Sequence, residues 1–352
     1  MSARTLEVLV PGDLAATSGG YGYDRRIIDG LRALGWRVGV HLLDASFPEP
    51  KAAALAHAHD TLARLPDQAL VLLDGLAGGA MPQVLRAHAA RLRLVALVHH
   101  PLAAESGLTP AQAQGLQHSE QQTLQLMRHV IVTSRATALA LHSYGIAPER
   151  VSVVEPGTDP APLVRPARGA LLRLLCVATL IPRKGHDLLI EALARVPARW
   201  RLHCIGSLER SPATVERLRA QLDRLQLQDK VSLVGEVDAA TLEDHYRQAD
   251  LFVLATRLEG YGMAVAEALA HGLPVLATAT GAIEQLVGPD AGVVVAPDDA
   301  VALSAALTEL LTDPAMLPRL AAGAARVREE LPRWPQACAR MSEALALQHA
   351  PD

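Results

Sequence analysis

With 352 residues, 50% of them hydrophobic, the chain is long enough for two domains with large cores; only 3% is aromatic, so Leu, Val and Ala must fill those cores. The net charge of −4 argues against charge-driven binding of nucleic acid. No apolar run approaches the length of a membrane span, no leader precedes the first strand, and Cys176, Cys204 and Cys338 lack metal-ligand spacing; these features point to a reducing cytoplasm, with any membrane contact peripheral.

The chain opens with a strand over residues 6–10, a loop to residue 20, an amphipathic helix over 21–34 and a strand over 37–42, a β-α-β unit. Gly19 and Gly20 stand before that helix, where backbone amides can approach a phosphate or an acceptor, although a flexible turn uses such a pair equally well. Strands over 69–73 and 94–98 follow, separated by a glycine-containing turn at 75–79 and a helix near 82–91. His99 and His100 come after the second of these strands, at a carboxyl end where open α/β sheets bind ligands, and Pro101 stops the strand. Glu105 and, on a following helix, Glu120 are candidate acceptor contacts; the plainer reading makes both solvated glutamates. Strands over 130–132 and 151–154 complete the first half, with Ser134 as N-cap of the helix running to Tyr144. Pro156, Pro160, Pro162 and Pro166 then interrupt regular structure and mark the expected linker.

Strand–helix alternation resumes with a strand over 172–177, a turn over 179–185 and a helix over 186–194. Arg183 and Lys184 stand at the helix entrance. Two cations there can hold a diphosphate, lysine as a point charge and arginine as a bidentate fork; alternatively they are a solvated basic pair. A strand over 202–205 ends at Gly206, a charged helix covers 212–225, and a strand over 231–234 leads to Gly235, Glu236 and Val237.

The densest stretch runs from Leu251 to Thr278. A buried strand over 251–255 precedes Glu259 and the turn Gly260, Tyr261, Gly262; a helix over 263–271 ends at the stop signals Gly272 and Pro274; a strand resumes at 275–277. The glycines and the helix start, including Met263, suit a phosphate, because free amides and the positive helix end face it and no side chain obstructs it. Glu267 lies eight residues beyond Glu259, about one turn into the helix, so both carboxylates can border one cleft. The bland reading is a solvated helix with surface glutamates. A last strand over 293–295 is followed by alanine- and leucine-rich helices to about residue 330 and again over 335–347.

The run E-G-Y-G-x-x-x-x-E-A-L-A-x-G-x-P-V from Glu259 resembles the E-x7-E signature of retaining family 4 glycosyltransferases. GGYGYDRRIIDGLRALGWRV, from Gly19, looks like the family's opening loop and helix. Lys184–Gly185 matches the end of its G-R-L-x-x-x-K-G element, whereas the family's arginine is Thr179 here, a departure for which Arg183 is the candidate substitute. The resemblance implies a GT-B fold: α/β, two facing Rossmann-like domains with a central cleft and a C-terminal helix crossing back. The expected domains are residues 1–165, acceptor-side; 166–332, nucleotide-sugar-binding; and 333–352, the crossing helix and tail.

The resemblance also implies roles. Glu267 holds ribose hydroxyls, Glu259 and the amides from Tyr261 to Met263 orient the donor sugar, and Arg183, Lys184 and the helix N-termini stabilise the departing diphosphate. Gly206 and the turn reaching Val237 lie by the nucleotide, and a histidine, His99 in preference to His100, contacts the donor sugar. The expected activity is transfer of a hexose from a nucleotide diphosphate sugar to an unidentified acceptor, with retention and no cofactor. No Asp-x-Asp motif is present, so no metal is expected. Epimerisation or hydrolysis on the same scaffold, or non-catalytic nucleotide-sugar binding, are the alternatives. Acceptor contacts are expected from the loops at 46–50 and 103–115.

Overall fold

Short aliphatic runs without alternation make the centre of each sheet. Leu70–Asp74 and Leu251–Leu254 are buried along their whole length, as parallel strands covered by helices on both faces must be. The computed structural model describes residues 4–164 and 171–349. By its internal contacts the chain divides into two units, Met1–Gly157 with Pro332–Asp352, and Thr158–Leu331. The expected boundary at residues 165 and 166, with Pro166, lies outside the described residues.

The first unit holds six parallel strands: β1 (Thr5–Pro11), β2 (Arg37–Leu43), β3 (Leu70–Asp74), β4 (Arg93–Val98), β5 (His129–Val132) and β6 (Val151–Val153), in the order β2-β1-β3-β4-β5-β6. The second holds β7 (Leu172–Val177), β8 (Trp200–Ile205), β9 (Val231–Gly235), β10 (Leu251–Leu254), β11 (Val275–Thr278) and β12 (Gly292–Val295), in the order β12-β11-β10-β7-β8-β9. Each sheet is therefore a doubly wound α/β sheet, and each has one point where the strand order reverses: between β1 and β3 in the first, between β7 and β10 in the second. Loops leaving the carboxyl ends of those strands diverge there and open a crevice for ligands.

Several local expectations are corrected. Gly19 and Gly20 do not precede the first helix; they are its first two residues, because Ser18 caps it by accepting from the Tyr21 amide. Residues 75–79 are not a plain turn: Gly75–Gly78 is one helical turn capped by Asp74. The helix expected near 82–91 stops at Arg86. The presumed acceptor loop at 103–115 is shorter, since Pro110–Leu126 is a helix with a capping box at Thr109 and Gln112. The helices Ala52–Ala63 and Ala239–Gln248 were not anticipated from the sequence.

The chain's last helix, Trp334–His349, packs in the first unit against the helix Gly19–Ala33. Gly30 permits the contact: a Cβ there would sit 2.1 Å from the Cys338 sulfur. Trp36 Nε1 donates to Ser342 Oγ at 2.9 Å. The three cysteines are free and buried. Among the described residues no single helix is long and apolar enough to cross a membrane.

Candidate active site

At the switch point of the second sheet, the loops after β7 and β10 are fastened to each other. Gly185, in the left-handed region at φ +65°, allows this: a Cβ there would lie 1.9 Å from the Ala255 carbonyl oxygen. The Arg257 amide donates to the Arg183 carbonyl at 2.8 Å, and Thr256 Oγ1 lies 3.2 Å from the same carbonyl and 2.9 Å from that of Leu258. The Arg257 guanidinium spans Asp187, with 2.9 Å contacts to both oxygens, and reaches Asp298 Oδ1 at 2.7 Å. Gly281 approaches from the loop after β11 so closely that a Cβ would meet the Glu259 carbonyl oxygen at 2.2 Å.

This scaffold puts Lys184 beside Glu259, Nζ to Oε2 2.6 Å, with both side chains largely buried. Arg183 Nη1 donates to the Leu258 carbonyl at 2.9 Å, so both expected cations lie on the Glu259 loop. Thr179, Gly206 and the turn leading to Val237 are also neighbours. A Cβ on Gly206 would come 2.2 Å from the Ala178 carbonyl oxygen and 2.8 Å from the Thr179 nitrogen, and the Gly206 amide donates to the Gly235 carbonyl at 3.0 Å.

Gly262, at φ +100°, is the N-cap of the helix Met263–Ala270 and supplies no side-chain cap. In that first turn the Val265 amide is donated to the Gly262 carbonyl at 2.9 Å, which leaves the Met263 and Ala264 amides to other partners, with Gly260 and Tyr261 leading into them. Glu267 has a different partner from Glu259: Tyr246 donates its hydroxyl to Glu267 Oε2 at 3.0 Å. Burial pushes the Glu267 carboxyl above its usual range, opposed by that hydrogen bond and by the nearby His271. Tyr246 is itself held by stacking on His271, centroids 4.4 Å apart and planes 11° from parallel. After β11, the turn from Thr280 leads into the short helix Ile283–Val287, and the Ile283 amide is donated to the Thr280 carbonyl.

In the first unit the two histidines part company. His100 Nε2 lies 3.6 Å from Glu105 Oε2. His99, after β4, enters a cluster at the switch point: its Nε2 is 3.3 Å from Asp24 Oδ1 and 3.9 Å from Asp74 Oδ2. Gly20 lies against the ring, where a Cβ would be 3.6 Å from Nε2. Burial alone would lower the His99 pKa, but the negative charge of Asp24, its hydrogen bond and then Asp74 outweigh it, so the net shift is upward. Glu120 is not a solvated acceptor contact. Its side chain is 1% exposed and accepts from the Leu102 amide at 3.0 Å, and burial pushes it up to about 7.

Sequence reading misses Asp24, Asp74 and Tyr246. Asp24 has a signal, since it falls on the buried helix face of Tyr23, Ile27, Ile28 and Leu31; a carboxylate on an apolar stripe needs a reason. Asp74 closes the apolar run of β3. Asp24, Asp74 and His99 are also the one group of three found among the described residues whose ligand atoms all lie within 4.8 Å of one another, a donor set able to take a divalent cation.

Residues 25–162 match the family model described as Glycosyltransferase Family 4, and residues 172–313 the one described as Glycosyl transferases group 1. The D-inositol 3-phosphate glycosyltransferase of Xylanimonas cellulosilytica is 32% identical over 66% of this chain and 60% of its own length. The MMP alpha-(1->4)-mannosyltransferase of Mycolicibacterium hassiacum is 28% identical over 84% of this chain and 74% of its own. The chain thus matches under two thirds of the length of the first of these relatives. Among solved structures, sucrose-phosphate synthase from Thermosynechococcus elongatus superposes with a TM-score of 0.81 over 98% of both chains at 22% identity. Anabaena HepE, in complex with UDP and glucose, gives 0.77 over 98% of this chain and all of its own at 19% identity. At such identities the likeness speaks for the fold. Two doubly wound sheets, the second matched throughout by a glycosyltransferase family model and the first from β2 onward, place the chain in glycosyltransferase family 4 with the GT-B fold.

Proposed function

We propose that this protein transfers a hexose from a nucleotide diphosphate sugar to a hydroxyl acceptor with retention of configuration. The observation that carries the reading is the Lys184–Glu259 pair at the switch point of the second sheet, beside a glycine-capped helix start. An ammonium has three donors and Glu259 takes one, so Lys184 has others to offer phosphate oxygens. Glu259 is a carboxylate with several acceptor sites, suited to accept from sugar hydroxyls. Glu267, tied at Oε2 by Tyr246, has its other oxygen for the ribose. His99 takes the sugar contact that the family resemblance implies.

In this reading the bond from the sugar's C1 to the diphosphate breaks as a bond from C1 to the acceptor oxygen forms on the same face. The acceptor's proton passes to a phosphate oxygen of the leaving group. The protein supplies electrostatic stabilisation where negative charge grows, from Lys184, Arg183 and the helix start. No protein nucleophile, metal or cofactor is assigned to that step, and the cytoplasm, where nucleotide sugars are available, is the proposed location.

The test is incubation with UDP-, GDP- and ADP-sugars against acceptors that begin with inositol phosphate and sugar phosphates, the chemistry named in relatives such as the inositol-phosphate enzyme and mannosylfructose-phosphate synthase. Released nucleoside diphosphate with a glycosylated product supports transfer. Free sugar alone means hydrolysis, and a changed sugar epimer means epimerisation. Thr179 in the family's arginine position favours a second reading, donor binding without turnover, which calorimetric binding with no product across the panel would establish.

A further inference from the structure

Lys184 and Glu259 sit on two loops of the second sheet, and Gly185 is not all that keeps those loops together. A second fastener is Arg257, two residues before Glu259. Its guanidinium uses four of its N–H groups on three partners. Nε donates to Asp298 Oδ1 at 2.7 Å, Nη1 to the Pro182 carbonyl at 2.7 Å and to Asp187 Oδ1 at 2.9 Å, and Nη2 to Asp187 Oδ2 at 2.9 Å. The Arg257 amide adds the Arg183 carbonyl at 2.8 Å. Pro182 and Arg183 lead directly into Lys184, and Asp187 lies in the first turn of the helix His186–Leu193 just beyond it. Apart from the bond to Asp298, each contact therefore ties the Glu259 loop to the chain on one side or the other of Lys184.

Asp298 brings in a third segment, between β12 and the helix Ala300–Thr312. Its backbone holds φ +57°, a left-handed conformation that residues other than glycine seldom take. Aspartate tolerates it better than most, at some cost. Capping does not require Asp298, because Asp299 accepts from the Val301 and Ala302 amides. What the left-handed turn delivers is the Asp298 carboxylate to Arg257.

An exposed ion pair by itself counts for little, and the Asp187 and Asp298 side chains are 53% and 62% exposed, against 26% for Arg257. This arrangement is more than such a pair. A two-pronged carboxylate, a backbone carbonyl and a second carboxylate converge on one planar group, which fixes orientation as well as distance. Lys184 depends on that, because its flexible stem carries a point charge that meets Glu259 only while the loops keep their spacing.

We propose that Arg257, Asp187 and Asp298 are positioning residues for the Lys184–Glu259 pair, a clamp that acts through the two loops. Resting on the glycosyltransferase reading, the consequence is that opening the clamp weakens binding of the donor's nucleoside diphosphate while the fold stays intact.

The experiment combines ligand-free hydrogen exchange with calorimetry of UDP, GDP, ADP, CDP and dTDP binding, on the full chain as wild type, Asp298→Asn, Arg257→Gln and the double variant. Asparagine tolerates the left-handed region as aspartate does, so Asp298→Asn keeps the melting temperature within about 2 °C. Exchange over residues 179–185 and 256–262 nonetheless quickens by about three- to tenfold, while the helix Pro212–Leu225 exchanges as in wild type. Nucleotide affinity falls by about fivefold, the upper end for a partly exposed ion pair. Arg257→Gln loses more, and adding Asp298→Asn to it loses nothing further, because the shared contact is already gone.

Unchanged exchange in the two loops overturns the proposal. So does an equal rise in Pro212–Leu225, which is what plain destabilisation gives, and so do losses that simply add in the double variant. If Arg257→Gln does not fold, Asp298→Asn decides alone on the same exchange readout. Exchange needs no ligand, so loops that loosen as described in a protein that binds none of the nucleotides support the clamp and refute the donor reading. Nucleotide binding that survives both substitutions with unmoved loops refutes the clamp alone.

Discussion

Lys184 Nζ stands 2.6 Å from Glu259 Oε2, although the residues are 75 positions apart. The two loops that carry them meet because β7 and β10 are neighbours in the sheet. If the pair grips the donor, Lys184→Ala and Glu259→Gln each cost about ten- to hundredfold in kcat/KM, the worth of a charge-assisted contact of roughly 1.5–3 kcal/mol. Because the side chains touch, the double variant loses less than the product of the single losses. Steady-state kinetics on folded protein checks this, and full activity in both single variants would remove the site.

Gly185 is where the two loops depend on a missing side chain. Gly185→Ala brings a Cβ against the Ala255 carbonyl and forces alanine into φ +65°. The backbone alone costs about 1–2 kcal/mol, and parting the loops adds to it, so both the denaturation midpoint and the activity fall. Gly35→Ala is the control, with φ +87° but open space around the position. It pays the backbone cost and keeps activity. Equal destabilisation in the two variants would mean that the loop contact is not needed.

Two buried carboxyl groups give the stability a pH dependence with a defined sign. Asp74 is raised from 3.8 to about 7 and Glu120 from 4.5 to about 7, in each case chiefly by burial. A carboxyl whose folded pKa exceeds its unfolded one binds its proton more tightly when folded, so its stabilisation is complete below pH 4 and is lost as pH rises through about 7. Raised His99 works in the same direction. Asp74→Asn and Glu120→Gln should therefore flatten the melting temperature between about pH 4 and 7, each removing a slope worth on the order of a few kcal/mol. Thermal melts across that range would show no flattening if the groups titrate normally.

The strands are legible in the sequence because buried parallel strands are contiguous aliphatic runs: all twelve expected runs coincide with strands, and the alternation with helices gives the α/β class. Helices that lack either an apolar stripe or a side-chain cap are harder to see. Ala239–Gln248 buries only Tyr246, and Ala52–Ala63 starts at Lys51 without a side-chain cap. The glycines and glutamates of the second sheet's switch point are legible as a motif, but their partners are not. Glu259 meets Lys184 and Glu267 meets Tyr246 only after the sheet order is known. Asp24 stands out only as a carboxylate on an apolar helix face, and what it and Asp74 meet is seen only when three elements separated in sequence bring them to His99.

Tyr246 is a consequence of that kind, and it separates ribose binding from structure. Its hydroxyl is donated to Glu267, and losing it leaves a largely buried carboxyl short of a partner, at about 1–3 kcal/mol. Since that bond holds the Glu267 pKa down against burial, Tyr246→Phe lets it rise further. If the carboxylate is the form that binds ribose, protonation then sets in at higher pH, and donor binding weakens earlier as pH falls. Wild type should discriminate between a donor and its deoxyribose analogue by roughly tenfold, the value of one good hydrogen bond to a charged group. Glu267→Ala should bind the two alike, because its contact is already gone, and the coupling in that cycle isolates the carboxyl–ribose contact. Calorimetry or thermal shift with the two donors measures it. If Glu267→Ala still prefers the intact ribose by the wild-type margin, Glu267 holds the helix in place and something else holds the nucleotide.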